Sequence, residues 1–201
     1  MTNVKCLVVI LFVAINFSGC ANKPINIDVS ESKYKIKEQV EIDIKNINIE
    51  NVSNNGEMIN TILGSDTIIP IIPEVPTKET VENDIKDYFH TMKMIESSNK
   101  VLKIVVKKAD SYWTLSDLQK IPIFGLFAVG QKVTYGLNLK VLFEVEEDGK
   151  VIKSYTFNDT IKIKNGNVTQ DDIIAGYKKL ISQYREVFFN EIHNQFTKRY
   201  L

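Results

Sequence analysis

The chain is poor in several things that would each point to a function. Its 201 residues hold only two cysteines, Cys6 and Cys20, both near the N-terminus. The remaining sequence has no thiol for a disulfide, a cysteine metal site or a cysteine nucleophile. It has no excess of charge of either sign, with 25 basic and 25 acidic residues. That balance gives no electrostatic footprint for nucleic acid or an anionic surface. Only Arg185 and Arg199 are arginines, whereas phosphate-reading sites favour the arginine fork. Histidine occurs twice, as His90 and His193, and neither belongs to a His-Glu-x-x-His pair. We read both as solvated or capping side chains. There is no Gly-x-Ser-x-Gly elbow and no glycine-rich phosphate loop. These absences leave no catalytic residues, no metal ligands and no cofactor to nominate, and the expectation is a protein that is not an enzyme. No apolar run reaches the roughly 20 residues that a membrane-spanning helix needs.

The N-terminus is where the sequence says most. Lys5 precedes an apolar stretch, Leu7–Ala14, and then Phe17-Ser18-Gly19-Cys20. The length, charge and small residues are those of a secretory signal. The tetrapeptide resembles the lipobox of bacterial lipoproteins, with Phe17 in place of the commoner Leu, Val or Ile. The resemblance implies cleavage before Cys20 and acylation of its thiol. One acyl chain binds a membrane marginally, whereas several anchor it stably. Ala21 and Asn22 follow the cysteine, and the absence of Asp there resembles the outer-membrane type facing the periplasm. The expected division is a signal peptide over 1–19, a lipidated N-terminus and tether over 20–38, and one domain over 39–201. A chain of that size can bury a sizeable core.

Within the domain, Val40, Ile42 and Ile44 alternate with polar residues, and Ile47 and Ile49 continue one residue out of phase. This predicts a strand with a bulge near Asn46. The proline-broken run Ile68–Pro73 predicts an edge segment or extended loop. Thr77 or Thr80 is placed to cap a helix whose stripe is Val81, Ile85, Tyr88, Phe89, Met92 and Ile95. Val101–Val106 predicts an inner strand ended by Lys107 and Lys108. From Val133 to Val145 every odd position is apolar or aromatic, Asp148-Gly149 supplies a two-residue turn, and the alternation returns through Ile163. That is a long antiparallel hairpin with one wet face. Thr169 and Asp172 approximate a capping box for a last helix with the stripe Ile173, Tyr177, Leu180, Ile181, Tyr184, Val187, Phe188 and Ile192.

The expected fold is therefore α+β in two layers, a mostly antiparallel sheet with a long hairpin packed against two helices. Together with the lipobox, the Asp148-Gly149 hairpin and the capped last helix, this order resembles small Gram-negative envelope lipoproteins. These are the YajG-type lipoproteins, the lipoprotein partner in lipopolysaccharide assembly and lipoprotein auxiliaries of lipid-transporting ABC systems. The resemblance implies a membrane-anchored accessory that binds or assembles an envelope component, with an envelope protein as partner and no nucleic acid. The alternative is a carrier or chaperone for a lipid-like molecule.

The acidic cluster Glu144, Glu146, Glu147 and Asp148 reads as a solvated hairpin tip rather than a carboxylate pair. The stretch Ile121–Val129 carries no charge and sits between two strands, where loops are usually polar. It is open to two readings, a flap filling core volume over the sheet or an apolar tip for a membrane or partner. The residues nominated for contact are Trp113, Phe124, Leu126 and Phe127, with Cys20 as the anchor.

Overall fold

The computed structural model describes residues 24–30, 34, 40–53, 61–63, 66–115, 133–166 and 169–201. Its main sheet has six strands: β2 (Asn46–Asn51), β3 (Thr61–Leu63), β4 (Asp66–Pro70), β6 (Lys100–Leu115), β7 (Val133–Glu147) and β8 (Lys150–Asn165). Two more, β1 (Glu41–Ile42) and β5 (Lys93–Met94), pair in parallel as a separate ribbon. Helices α1 (Thr77–His90) and α2 (Gln170–Glu191) pack on one face of the sheet. The α+β class holds, with a mixed sheet: β2 runs parallel to β6, and the other pairs are antiparallel.

The hairpin forms where its alternation predicts. Odd residues of β7 from Val133 to Val145 are buried, and Asp148 and Gly149 take φ of 49° and 75°, the pair of left-handed residues that matches the twist of flanking strands. The return strand is wetter than its pattern suggests. Val151 and Ile152 are exposed, and only Phe157 and Ile161 are fully covered. A register shift between Val145 and Glu146 lets β8 twist away there.

Several expectations need correction. The strand through Val40–Ile49 is two short strands in two sheets. Its phase shift marks a change of partner, not a bulge: Ile42 and Ile44 both sit fully buried, and the chain bends between them and β2. Lys107 and Lys108 do not end β6. The strand absorbs them in a register shift and runs on to Leu115. This length gives β6 two neighbours on one side, β2 along its first half and β4 near its end. Neither Thr77 nor Thr80 caps α1. Pro76 holds the N-cap position without a side-chain bond, and both threonines are buried inside the helix. Thr77 Oγ1 instead lies 2.7 Å from Ser111 Oγ and 3.0 Å from Tyr177 OH. Met92 and Ile95 fall past the end of α1 at His90. The cap of α2 is as expected: Thr169 Oγ1 accepts from the Asp172 amide at 3.2 Å and donates to Asp172 Oδ2 at 2.6 Å. Past Glu191, α2 continues through a π-helical turn, Ile192–Thr197, that carries Phe196 into the core.

The core between sheet and helices is aromatic. The Phe143 ring lies 5.1 Å from Phe196, 6.2 Å from Phe188 and 6.4 Å from Phe89. Burying each such ring contributes about 1.5–3 kcal/mol. Gly176 lets α2 come close to the sheet, since a Cβ there would meet the Tyr135 ring at 2.3 Å.

Candidate functional site

The N-terminal stretch has its own structure. From Ile25 to Val29 apolar residues alternate with exposed polar ones, Ile27 being the most buried. Ile25 forms a parallel bridge with Pro73, donates its N–H to Ile72 O at 2.9 Å and accepts from the Glu74 amide at 2.8 Å. Further on, Tyr34 lies 5.2 Å from the Phe189 ring and 6.2 Å from Tyr88, and its hydroxyl donates to Asn190 Oδ1 at 3.1 Å. This segment straps the two helices together from outside. Of the residues assigned to the tether, Ile25 through Val29 and Tyr34 therefore lie against the domain.

A buried ion pair fixes the strap. Arg185 on α2 donates from Nε and Nη2 to the two carboxylate oxygens of Asp84 on α1, each at 2.8 Å. Its Nη1 donates to Val29 O at 2.6 Å. Both side chains are nearly solvent-free, 4% and 9% exposed. The planar fork suits a two-point carboxylate contact that a lysine could not make. Around this pair, burial pushes the hydroxyl pKa of Tyr88 and Tyr177 up to about 12 and that of Tyr184 well above its usual range. Among the described residues, the Tyr184 hydroxyl is the one fully buried side-chain polar atom without a hydrogen-bond partner.

The sheet face opposite the helices carries an open groove of about 370 Å³, lined by Ile68, Tyr112, Thr114, Thr134 and Lys162 to Lys164. Its floor is the Tyr112 ring, which lies flat over Gly136 because a Cβ there would meet the ring at 2.2 Å.

Of the residues nominated from sequence, Trp113 lies in β6 opposite Tyr135, partly buried and packed against the core on the helix-facing side. Cys20, Phe124, Leu126 and Phe127 lie outside the described residues, as does the whole of Ile121–Val129. His90 is exposed, and His193 Nδ1 lies 3.3 Å from the Tyr88 hydroxyl. Glu144, Glu146, Glu147 and Asp148 stand at the hairpin tip. Among the described residues no three of His, Cys, Asp or Glu cluster as metal ligands, and no helix is long and apolar enough to cross a membrane. Sequence reasoning missed the strap and the Asp84–Arg185 pair. The signals were the alternation of Ile25, Ile27 and Val29, and an arginine inside the apolar stripe of α2.

No family model and no curated protein matches the sequence. Solved structures show distant likeness. A Xanthomonas campestris protein of a family of unknown function aligns at TM-score 0.41 and 11% identity, over 79% of this chain and 88% of that one. A neuraminyllactose-binding hemagglutinin homolog from Helicobacter pylori aligns at TM-score 0.41 and 11% identity, over 87% and 94%. The rare lipoprotein B from Shewanella oneidensis aligns at TM-score 0.37 and 14% identity, over 76% and 94%. At TM-scores below 0.5 the likeness assigns neither a family nor a role.

Proposed function

We propose that this chain is a lipid-anchored lipoprotein of the cell envelope, in the outer membrane facing the periplasm, whose α+β domain is a non-enzymatic binding or assembly accessory of an envelope complex. The observation that carries the proposal is the Phe17-Ser18-Gly19-Cys20 sequence behind a short apolar signal. The anchor is Cys20, and the contact surface is built from Trp113, Phe124, Leu126 and Phe127, with an envelope protein as partner. The alternative, a lipid carrier, calls for an apolar cavity between sheet and helices. That space is filled by Phe143, Phe188, Phe189 and Phe196, each 0–1% exposed, which counts against it.

The test has two arms. Cells fed a labelled fatty acid should label the wild-type chain and leave Cys20→Ser unlabelled and released from the membrane fraction. Replacing Phe124 and Phe127 with Ser should abolish crosslinking to the partner in intact cells while the circular dichroism spectrum is kept. An unlabelled wild-type chain refutes the anchor, and unchanged crosslinking refutes the contact role.

A further inference from the structure

We infer that the corner of the domain where β4 hands over to α1 rests on the bilayer that holds the lipid anchor, with Ile72 and Val75 against the headgroups. The inference deepens the reading above and rests on acylation of Cys20.

The reach of the tether limits how the domain can sit. A tether running freely from Cys20 to Val40 would span about 70 Å at roughly 3.4 Å per residue, enough to let the domain sample any orientation. The strap removes most of that length. Ile25 is bonded to Ile72 and Glu74 on the domain, so four residues, Ala21 to Pro24, separate the acylated cysteine from a fixed point. The five steps from Cys20 to Ile25 span about 17 Å when fully extended. Whatever surrounds Ile25 is therefore held within that distance of the interface.

What surrounds Ile25 is apolar and exposed. Seven large hydrophobic side chains stand out into solvent among the described residues, and six of them fall in two groups. Ile72 (39%) and Val75 (53%) lie at the anchored corner. Ile72 is the residue whose carbonyl Ile25 bonds. Val75 directly precedes the Pro76 cap of α1. The seventh, Val52, stands between the groups, its N–H bonded to Val106 O opposite Val141. The second group, Met94, Val151, Ile152 and Tyr200, is at the hairpin end. Along the sheet, Ile71 bonds at Ser111, Ser111 faces Leu137, and Val151 faces Glu146. Nine residues of β7 thus separate the groups, about 30 Å at 3.3 Å per residue. Exposure alone does not distinguish them; the short leash does. It holds the first group against lipid, where apolar area gains free energy on leaving water, and leaves the second facing away.

The chain suits a labelling test, because apart from Cys6 and Cys20 it has no cysteine. Ile72→Cys, Val75→Cys and Val151→Cys, each in the full-length chain purified from membranes, are labelled with an environment-sensitive fluorophore. They are then reconstituted into phosphatidylethanolamine–phosphatidylglycerol vesicles containing nitroxide-bearing lipids. Quenching several-fold stronger at 72 and 75 than at 151 is expected. Equal quenching at all three positions, or none at 72 and 75, overturns the inference. The mass of the N-terminal peptide is read from the same samples. Acylated protein with unquenched corner labels overturns the orientation alone, and unacylated protein overturns the anchor and the orientation together.

Discussion

Replacing Arg185 by Met tests the best-defined polar feature of the fold. The substitution keeps roughly the length of the side chain but leaves Asp84, 9% exposed, as a carboxylate without its two bonds from the guanidinium. It also removes the bond from Nη1 to Val29 O. Taking one partner from a buried ion pair costs about 3–5 kcal/mol, because the remaining charge is stranded in low dielectric. At about 2–4 °C per kcal/mol for a chain of this size, the melting temperature should fall by about 6–20 °C. Asp84→Leu alone should cost a similar amount by stranding the guanidinium. The pair Asp84→Leu with Arg185→Met strands nothing, and packed apolar replacements of buried ion pairs are often neutral or stabilising. The double variant should therefore be more stable than either single and fall short of the wild type by the bond to Val29, about 1.5–3 kcal/mol for a charged donor. The assay is urea unfolding of the wild type, both singles and the double, with the slope checked for constancy. A double variant no more stable than the worse single, or singles each costing under about 1 kcal/mol, refutes the reasoning.

Three further outcomes are expected. Gly176→Ala places a methyl at 2.3 Å from the Tyr135 ring; overpacking of about 1–3 kcal/mol outweighs the gain in helix propensity of up to about 1 kcal/mol, so thermal melting should occur lower, and a higher melting point would contradict the close approach. Thr169→Ala removes the cap of α2 and should cost about 1 kcal/mol in the same assay; no change would mean that the bond to the Asp172 amide is inert. Tyr88, Tyr135 and Tyr177 have hydroxyls pushed by burial up to about 12, while unfolded tyrosine ionises near 10. Their neutral forms favour the folded state fully below about pH 10, and that contribution is lost as pH rises through about 12. Ultraviolet absorbance of tyrosinate should therefore rise for these residues together with loss of ellipticity, and full ionisation of all tyrosines in a chain still folded would refute their burial.

The hairpin and α2 could be read from the sequence because each contrast in them is local. A strand with one wet face writes its period into adjacent residues, and Asp148-Gly149 and Thr169 mark where it turns and where the helix begins. What was misread depended on distant partners. The phase shift near Asn46 is compatible with a bulge or with a change of sheet, and only the pairing of Ile42 with Met94 and of Ile47 with Leu102 separates them. Lys107 and Lys108 resembled a stop because a register shift within a strand leaves no local mark. Thr77 had the chemistry of a cap, but Ser111 and Tyr177 from other elements claim its hydroxyl. Of the nominated contact residues, Trp113 alone falls among the described residues, and its position follows from β6 running on past Lys108. The strap had a signal in three alternating apolar residues, but so short a run amid polar sequence reads as linker until its partners are seen.

β8 is the outermost strand on its side of the sheet, and among the described residues nothing pairs with its free edge. Alternate residues of this sixteen-residue strand turn open backbone hydrogen-bonding groups outward, an invitation to a neighbouring molecule. Lys150, Lys153, Asp159, Lys162 and Lys164 are spread along that margin, and between identical copies brought side by side the excess lysines repel. The lysine excess along that rim thus opposes the edge-to-edge zipping of identical copies into ribbons.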